Sequence, residues 1–394
     1  MADAPALIPL FDVRLDEAEI AAVTDTLRSG WLTMGPRTES FEQAFAEHLG
    51  VRHAVAVSSC TAALHLAYLA AGVGPGDEVI VPAITFVATA NAVRYCGATP
   101  ILADVRGPHD LGIDPDDVER RITDATKAVC AVHYAGYAAD VDRLRALCDE
   151  HSLALIEDVA HAPSATPVGS ERKLGGFGVA GAFSFFSNKV LSCGEGGLLA
   201  TDDDDVAGFA RSRRAHGLTS GTWDRHRGHA ASYDVVGLGF NYRIDEPRAA
   251  LLEARLAGLE LDIARRREHA RAYRDALRAV DGLTLPYRDD EVETSSCYVM
   301  PVIVDDPRLR DPLRELMLER HRVQTSVLYP AVHEFTAYAG ASPEPLPRSE
   351  ALARSELTLP LFPDLGDEDR ERVVEALRTG LTELSRHGAP TTAT

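Results

Sequence analysis

The residues of this chain best placed to do chemistry centre on one lysine. Lys189 lies in the segment 181–197, GAFSFFSNKVLSCGEGG, after the apolar run 182–186 and shortly before a second run, 198–200. Apolar runs bounded by glycine read as buried strands, and lysine is rarely buried without a partner or a task. A desolvated lysine keeps a neutral amine, which attacks carbonyl carbons. The bland alternative, a lysine snorkelling from a loop to solvent, is the commoner case for an arbitrary lysine. The companions of Lys189 therefore decide.

A lysine that forms a Schiff base with pyridoxal 5'-phosphate (PLP) needs three supports. The first is a carboxylate that keeps the pyridine nitrogen protonated, so that the ring acts as an electron sink; Asp158, 31 residues upstream at the end of a strand-like run, fits. The second is a phosphate cradle of hydroxyls and N–H groups at a helix N-terminus. Ser59, Cys60 and Thr61 precede an Ala/Leu-rich helix at 62–71, and Ser184 adds a hydroxyl. The third is a flat partner for the ring, for which Phe86 is the candidate. Taken singly, each has a structural reading: a helix cap for Asp158, Ser59 and Thr61, and core packing for Phe86. The argument comes from their order along one frame.

That frame is α/β. After helical spacing at 16–29 and 38–49, strands at 53–57, 78–82, 99–105, 128–134 and 153–159 alternate with helices at 62–71, 85–95, 114–122 and 140–151. This rhythm predicts a mostly parallel sheet covered by helices on both faces. Ligands of such sheets sit beyond the carboxyl ends of the strands, where Ser58, Ser59, Thr61, Asp158, His161, Ser184 and Lys189 all fall. From about residue 243 the pattern changes. It predicts a long helical region at 246–276, strands at 297–304 and 323–328, helices at 309–322 and 367–384, and a Pro-rich loop through Pro343, Pro345 and Pro347. The expected organisation is a large domain over 1–245, a smaller α+β domain over 246–388 and a frayed tail at 389–394. Residues 176–181 match G-x-G-x-x-G, but the flanking strand and helix that a dinucleotide fingerprint requires are missing, so the match reads as accidental.

Composition narrows the partners. Of 394 residues, 45% are hydrophobic and 25% charged, as in ordinary globular proteins. The net charge of −20 argues against a nucleic-acid partner. Six cysteines without C-x-x-C spacing read as reduced thiols in a cytoplasmic protein, not as a zinc site or other metal centre. No leader peptide or membrane-length apolar stretch is evident.

The chain resembles the DegT/StrS family of nucleotide-sugar aminotransferases, PLP enzymes of fold type I, across about residues 8–380. The matching stretches are SGWLTMGP at 29–36, SSCTAALHLA at 58–67 and GVGPGDEVIVPAITFVATANAV at 72–93. They continue with IEDVAHA at 156–162, FSFFSNKVLSCGEGG at 183–197 and LGFNYRIDEPRAA at 238–250. The resemblance implies that Lys189 carries the Schiff base, Asp158 pairs with the ring nitrogen and His161 lies near the phenolic oxygen. It implies that Thr61, the Cys60 backbone and Ser184 bind the phosphate. It further implies a homodimer with shared active sites, in which Asn241 reaches the neighbouring subunit's phosphate. A loop at 217–236, carrying Trp223, Arg225, His226 and Arg227, would meet a sugar-nucleotide diphosphate, and Trp31, Tyr329 and His333 are further substrate candidates. The implied reaction moves an amino group from L-glutamate to a keto sugar nucleotide. The family's phosphate loop usually reads Ser-Gly-Thr, so Cys60 is a departure expected to tighten the turn. Histidine at 161 and the Trp31 loop resemble members acting at sugar carbon 4, not carbon 3. Amination at sugar carbon 3, keto-cyclitol amination and a non-catalytic PLP-binding regulator or scaffold are the alternatives. Lys189 itself argues against the sister 3-dehydratases, which carry histidine there.

Overall fold

The computed structural model describes residues 6–387 apart from 222, 224–225, 227, 229–231, 341 and 343. Two helices lead in. In α1 (Glu17–Ser29), Asp16 and Glu19 cap each other's N–H groups, and Gly30 ends the helix at φ 75°. In α2 (Pro36–Leu49) the N-terminal cap comes from far along the chain. The buried carboxylate of Glu246 accepts from the N–H groups of Gly35, Arg37 and Thr38 at 2.8–2.9 Å. The loop at 29–36 is thereby pinned.

The alternating pattern then follows: β1 (His53–Val57), α3 (Cys60–Ala70), β2 (Glu78–Pro82), α4 (Ala88–Tyr95) and β3 (Thr99–Ala103). A hairpin of β4 (Val105–Gly107) and β5 (Asp110–Ile113) precedes α5 (Pro115–Arg121) and β6 (Thr126–Val132). The unit continues through α6 (Val141–His151), β7 (Ala154–Asp158), β8 (Ala180–Ser184), β9 (Gly197–Thr201) and α7 (Asp204–Arg213). Seven strands form one sheet in the order β1-β9-β8-β7-β6-β2-β3. Only β9 runs against its neighbours. The carboxyl ends of the other six strands therefore share one edge. Alternate side chains feed two cores: Val55, Val57, Val81, Cys130 and Ile156 on one face, Ala54, Ala56, Ile80, Val129 and Leu155 on the other. Helices on both faces bury these positions, which is why the strands read as nearly continuous apolar runs.

The remainder comprises α8 (Glu246–Leu256), α9 (Leu259–Leu277), β10 (Leu283–Thr284), α10 (Asp289–Thr294), β11 (Met300–Val304), α11 (Pro307–His321), α12 (Pro347–Ser355), β12 (Glu356–Leu359) and α13 (Asp367–His387). β10, β11 and β12 form a small antiparallel sheet.

Several expectations need correction. The helical region at 246–276 is two helices, broken at Ala257 and Gly258. The expected strand at 323–328 makes only single bridges, Ile8 with Val323 and Ser326 with Thr358. Its backbone is divided between the N-terminal segment and β12, so no continuous ladder forms. The Pro-rich stretch yields a helix, because Pro347 occupies a first-turn position where no N–H is required. Among the described residues no helix is long and apolar enough to cross a membrane, and no cluster of ligating side chains could hold a metal ion.

Candidate active site

The shared sheet edge opens into a cavity of about 480 Å³. Ser59, Cys60 and Thr61 enter it after β1, Phe86 after β2, and Asp158 and His161 from β7 and the turn beyond it. Ser184 enters at the end of β8 and Lys189 in the loop before β9, while Tyr329 closes one side.

Asp158 is 6% exposed. Its Oδ2 accepts from the Thr89 hydroxyl at 2.8 Å, and Thr85 supports that hydroxyl at 2.8 Å. Its Oδ1 accepts from Ala160 N–H at 3.2 Å and faces Cys60 Sγ at 3.9 Å. Burial raises its pKa, against the pull of Thr89, the Ala160 N–H and Lys189. A carboxylate has about four acceptor positions, and two conventional hydrogen bonds leave it capacity for a cationic N–H donor.

Lys189 is half-buried, with Nζ 4.4 Å from the centre of the Tyr298 ring. Burial lowers its amine to about 8, although Asp158 and Cys60 pull the other way. About a tenth of such an amine is neutral at pH 7. The other two lysines are placed differently: Lys127 is exposed, and Lys173 is bonded to His48 and Glu260.

Ser59 caps α3, its hydroxyl accepting from Ala62 N–H at 3.2 Å. The N–H groups of Cys60 and Thr61 and the Thr61 hydroxyl have no protein acceptor among the described residues. Gly197 lies so close to this turn that a Cβ there would collide with the Ser59 carbonyl and the Cys60 amide. Cys60 itself is the first residue of α3 and is not in the left-handed region. No glycine is required by the backbone conformation at that position. Its thiol is pushed well above the usual range by burial and by Asp158, so it stays protonated.

A helix N-terminus for a phosphate, a carboxylate for a pyridinium and a partly neutral amine for an aldehyde thus meet in one cavity. The donor set fits PLP.

The other candidates lie elsewhere. Asn241 is exposed and bridges to Ala215, outside the cavity of its own chain. Trp31 packs on Trp223 and His226 at 4.7 and 4.6 Å, away from Lys189. His333 does not line the cavity. Its neighbour Val332 is buried and bonds to Ala83, which turns the imidazole toward Glu350 at 3.6 Å. Arg225 lies outside the described residues. Three contributors went unrecognised in the sequence: Thr85, Thr89 and Tyr298. The spacing of Thr85 and Thr89 on a helical pattern was a usable signal, whereas Tyr298 follows a left-handed Cys297 in a loop with no periodicity.

Comparison with known proteins agrees with this geometry. Residues 13–378 match the DegT/DnrJ/EryC1/StrS aminotransferase family. The spore coat polysaccharide biosynthesis protein SpsC of Bacillus subtilis (strain 168) is 38% identical over 382 residues, which is 95% of this chain and 96% of that protein. The crystal structure of the aminotransferase TlmJ from Streptoalloteichus hindustanus superposes with a TM-score of 0.88 at 37% identity, covering 96% of this chain and all of the other. Spr1654 of Streptococcus pneumoniae in its PLP form superposes with a TM-score of 0.88 at 27% identity, covering 96% of this chain and 99% of the other. The chain belongs to the DegT/DnrJ/EryC1/StrS aminotransferase family and is a PLP-dependent aminotransferase of fold type I.

Proposed function

We propose that the protein transfers an amino group from L-glutamate to a keto sugar nucleotide in amino-sugar biosynthesis. The proposed acceptor is a dTDP-linked 4-keto-6-deoxyhexose, aminated at C-4. The observation that carries the reading is Lys189 and Asp158 on one cavity beneath the N-terminus of α3. SpsC, whose name refers to a polysaccharide pathway, supports a sugar acceptor. His161 and the Trp31 loop support carbon 4 by resemblance.

Bound PLP supplies an aldehyde for an amine and an electron sink for charge at the carbon beside the nitrogen. The chain's residues divide the remaining work. The N–H groups of Cys60 and Thr61, with the Thr61 and Ser184 hydroxyls, bind the phosphate. Asp158 holds the proton on the ring nitrogen, its geometry fixed by Thr89 and the Ala160 N–H. Lys189 would hold the cofactor, and its Nζ, when free, would take the proton from the donor's α-carbon.

The reading includes a homodimer working in the cytoplasm. Glutamate and a sugar nucleotide are both anionic, yet no arginine lines the cavity among the described residues. A second copy is the proposed source of countercharge. The exposed side chains of Val235, Val236 and Leu238 beside Asn241 suit a surface that such a copy would cover.

The test is amino transfer from nitrogen-15-labelled glutamate to a panel of keto sugar nucleotides and keto-cyclitols, followed by mass spectrometry. Label in a 4-amino sugar nucleotide, lost in Lys189→Ala, is expected. Label only in a cyclitol, or full activity of Lys189→Ala, would contradict the proposal.

A further inference from the structure

His161 is 4% exposed and lies against two hydrogen-bonding neighbours. Ala135 N–H points at its Nδ1 at 3.3 Å, so Nδ1 must offer a lone pair. The ring proton is then on Nε2, which lies 2.8 Å from the Tyr329 hydroxyl oxygen. Burial and the charge of Lys189 hold His161 well below the usual histidine range, consistent with a neutral ring carrying one proton. Nε2–H therefore donates to Tyr329, and the hydroxyl's own hydrogen must point elsewhere. Among the described residues Tyr329 Oη has no other hydrogen-bond partner, and Tyr329 lines the cavity.

The arrangement is built in. Ala135 is fully buried at φ 57°, a conformation costly for a residue with a Cβ. It is held there because Ala135 O accepts from Tyr298 N–H at 3.0 Å and Gly136 O accepts from Ser296 N–H at 3.0 Å and Ser295 Oγ at 2.8 Å. Tyr298 stacks on the imidazole at 4.4 Å, and the rings of Phe86 and Tyr134 pack around Tyr329 at 5.8 and 6.1 Å.

We propose that the Tyr329 hydroxyl is a fixed hydrogen-bond donor to an acceptor oxygen of the bound reactants, its direction set by the His161 tautomer. The inference rests on the aminotransferase reading above. The oxygen belongs either to the cofactor ring or to the carbonyl of the keto sugar, and the experiment separates the two.

Wild type, Tyr329→Phe, His161→Gln and His161→Leu are loaded with PLP, and the pH midpoint of the bound-cofactor absorbance and the KM for the keto sugar are measured. With a ring oxygen as acceptor, Tyr329→Phe raises the midpoint by about one unit, because the lost donor had favoured the unprotonated form. With a sugar oxygen, the midpoint holds and KM rises roughly tenfold. A glutamine amide can accept from Ala135 and donate to Tyr329, so the Tyr329-dependent readout departs less from wild type in His161→Gln than in His161→Leu, which moves toward Tyr329→Phe. Normal PLP uptake with neither readout changed in Tyr329→Phe overturns this proposal alone. Absence of PLP uptake by the wild-type chain overturns the functional reading and this proposal with it.

Discussion

Glu157 and Asp158 are adjacent carboxylates, both buried, and the pleat of β7 sends them to opposite faces of the sheet. Glu157 is closed off. It accepts from His133 Nε2 at 3.1 Å and from the N–H groups of Gly175, Phe177 and Gly178 at 2.7–2.8 Å. Burial by itself would raise its pKa, but these donors more than offset that and hold it below the usual value. Asp158 has fewer donors, keeps a raised pKa and faces a cavity. Two carboxylates in the same strand are thus separated, by the number of donors each meets, into one that is closed off and one that faces the cavity with spare acceptor capacity.

Exchanging each for its amide should break the pair in opposite ways. Asp158→Asn is expected to lower turnover by roughly 100-fold or more, since the ring nitrogen loses its charged partner. Steady-state assay of the loaded enzyme checks this, and near-normal turnover would remove Asp158 from the chemistry. Glu157→Gln is expected to cost about 3–5 kcal/mol of stability, the usual effect of breaking a buried charged network, read by urea unfolding.

The pH dependence of these variants sharpens the contrast. The folded pKa of Glu157 is depressed, so its stabilisation is present above about 4.5 and lost as pH falls through the folded value. The gap between wild type and Glu157→Gln should therefore close in acid. Asp158 has the opposite sign: its folded pKa is raised, so the apoenzyme loses stability as pH climbs from about 3.8. Asp158→Asn apoenzyme should match wild type in acid and exceed it at neutral pH, as measured by thermal unfolding across pH.

Glu356 offers a smaller case. It is 2% exposed, accepts from Leu328 N–H at 2.9 Å and from the Thr358 hydroxyl at 2.5 Å, and burial pushes it up to about 7. The native state holds its proton where the unfolded chain does not, so stability falls as pH rises from about 4.5 to 7. Glu356→Gln should flatten that slope. The smallest effect is expected for Cys60→Gly, about 0.5–1 kcal/mol by urea unfolding, from added backbone freedom at the start of α3. A larger loss would give the thiol contact with Asp158 real structural weight.

The sequence revealed the cavity better than its surroundings, for a physical reason. Strand ends converge in any parallel sheet, so Ser59 and Asp158 were legible from the alternating pattern, and Ser184 and Lys189 from the apolar runs on either side of the lysine. Glu157 was not, because its donors come from a glycine-rich turn some twenty residues on. The G-x-G-x-x-G stretch is followed by β8, not a helix, and its Phe177 and Gly178, with Gly175 just before it, supply the N–H groups that hold Glu157; at Gly178 a Cβ would strike Leu155 O. The pattern was correctly set aside as a dinucleotide site, while its use as a carboxylate cradle needed three dimensions. Phe185 and Phe186 were assigned to a strand that ends at Ser184, because Gly196 and Cys193 bond the Phe185 backbone as the chain turns away.

The most direct test of the account is covalent mapping. The chain has only three lysines, Lys127, Lys173 and Lys189. Incubation with PLP, borohydride reduction and peptide mass spectrometry should place the cofactor's mass on Lys189 alone. Label on Lys127 or Lys173, or no label at all, would contradict the assignment of Lys189 as the amine that holds the cofactor.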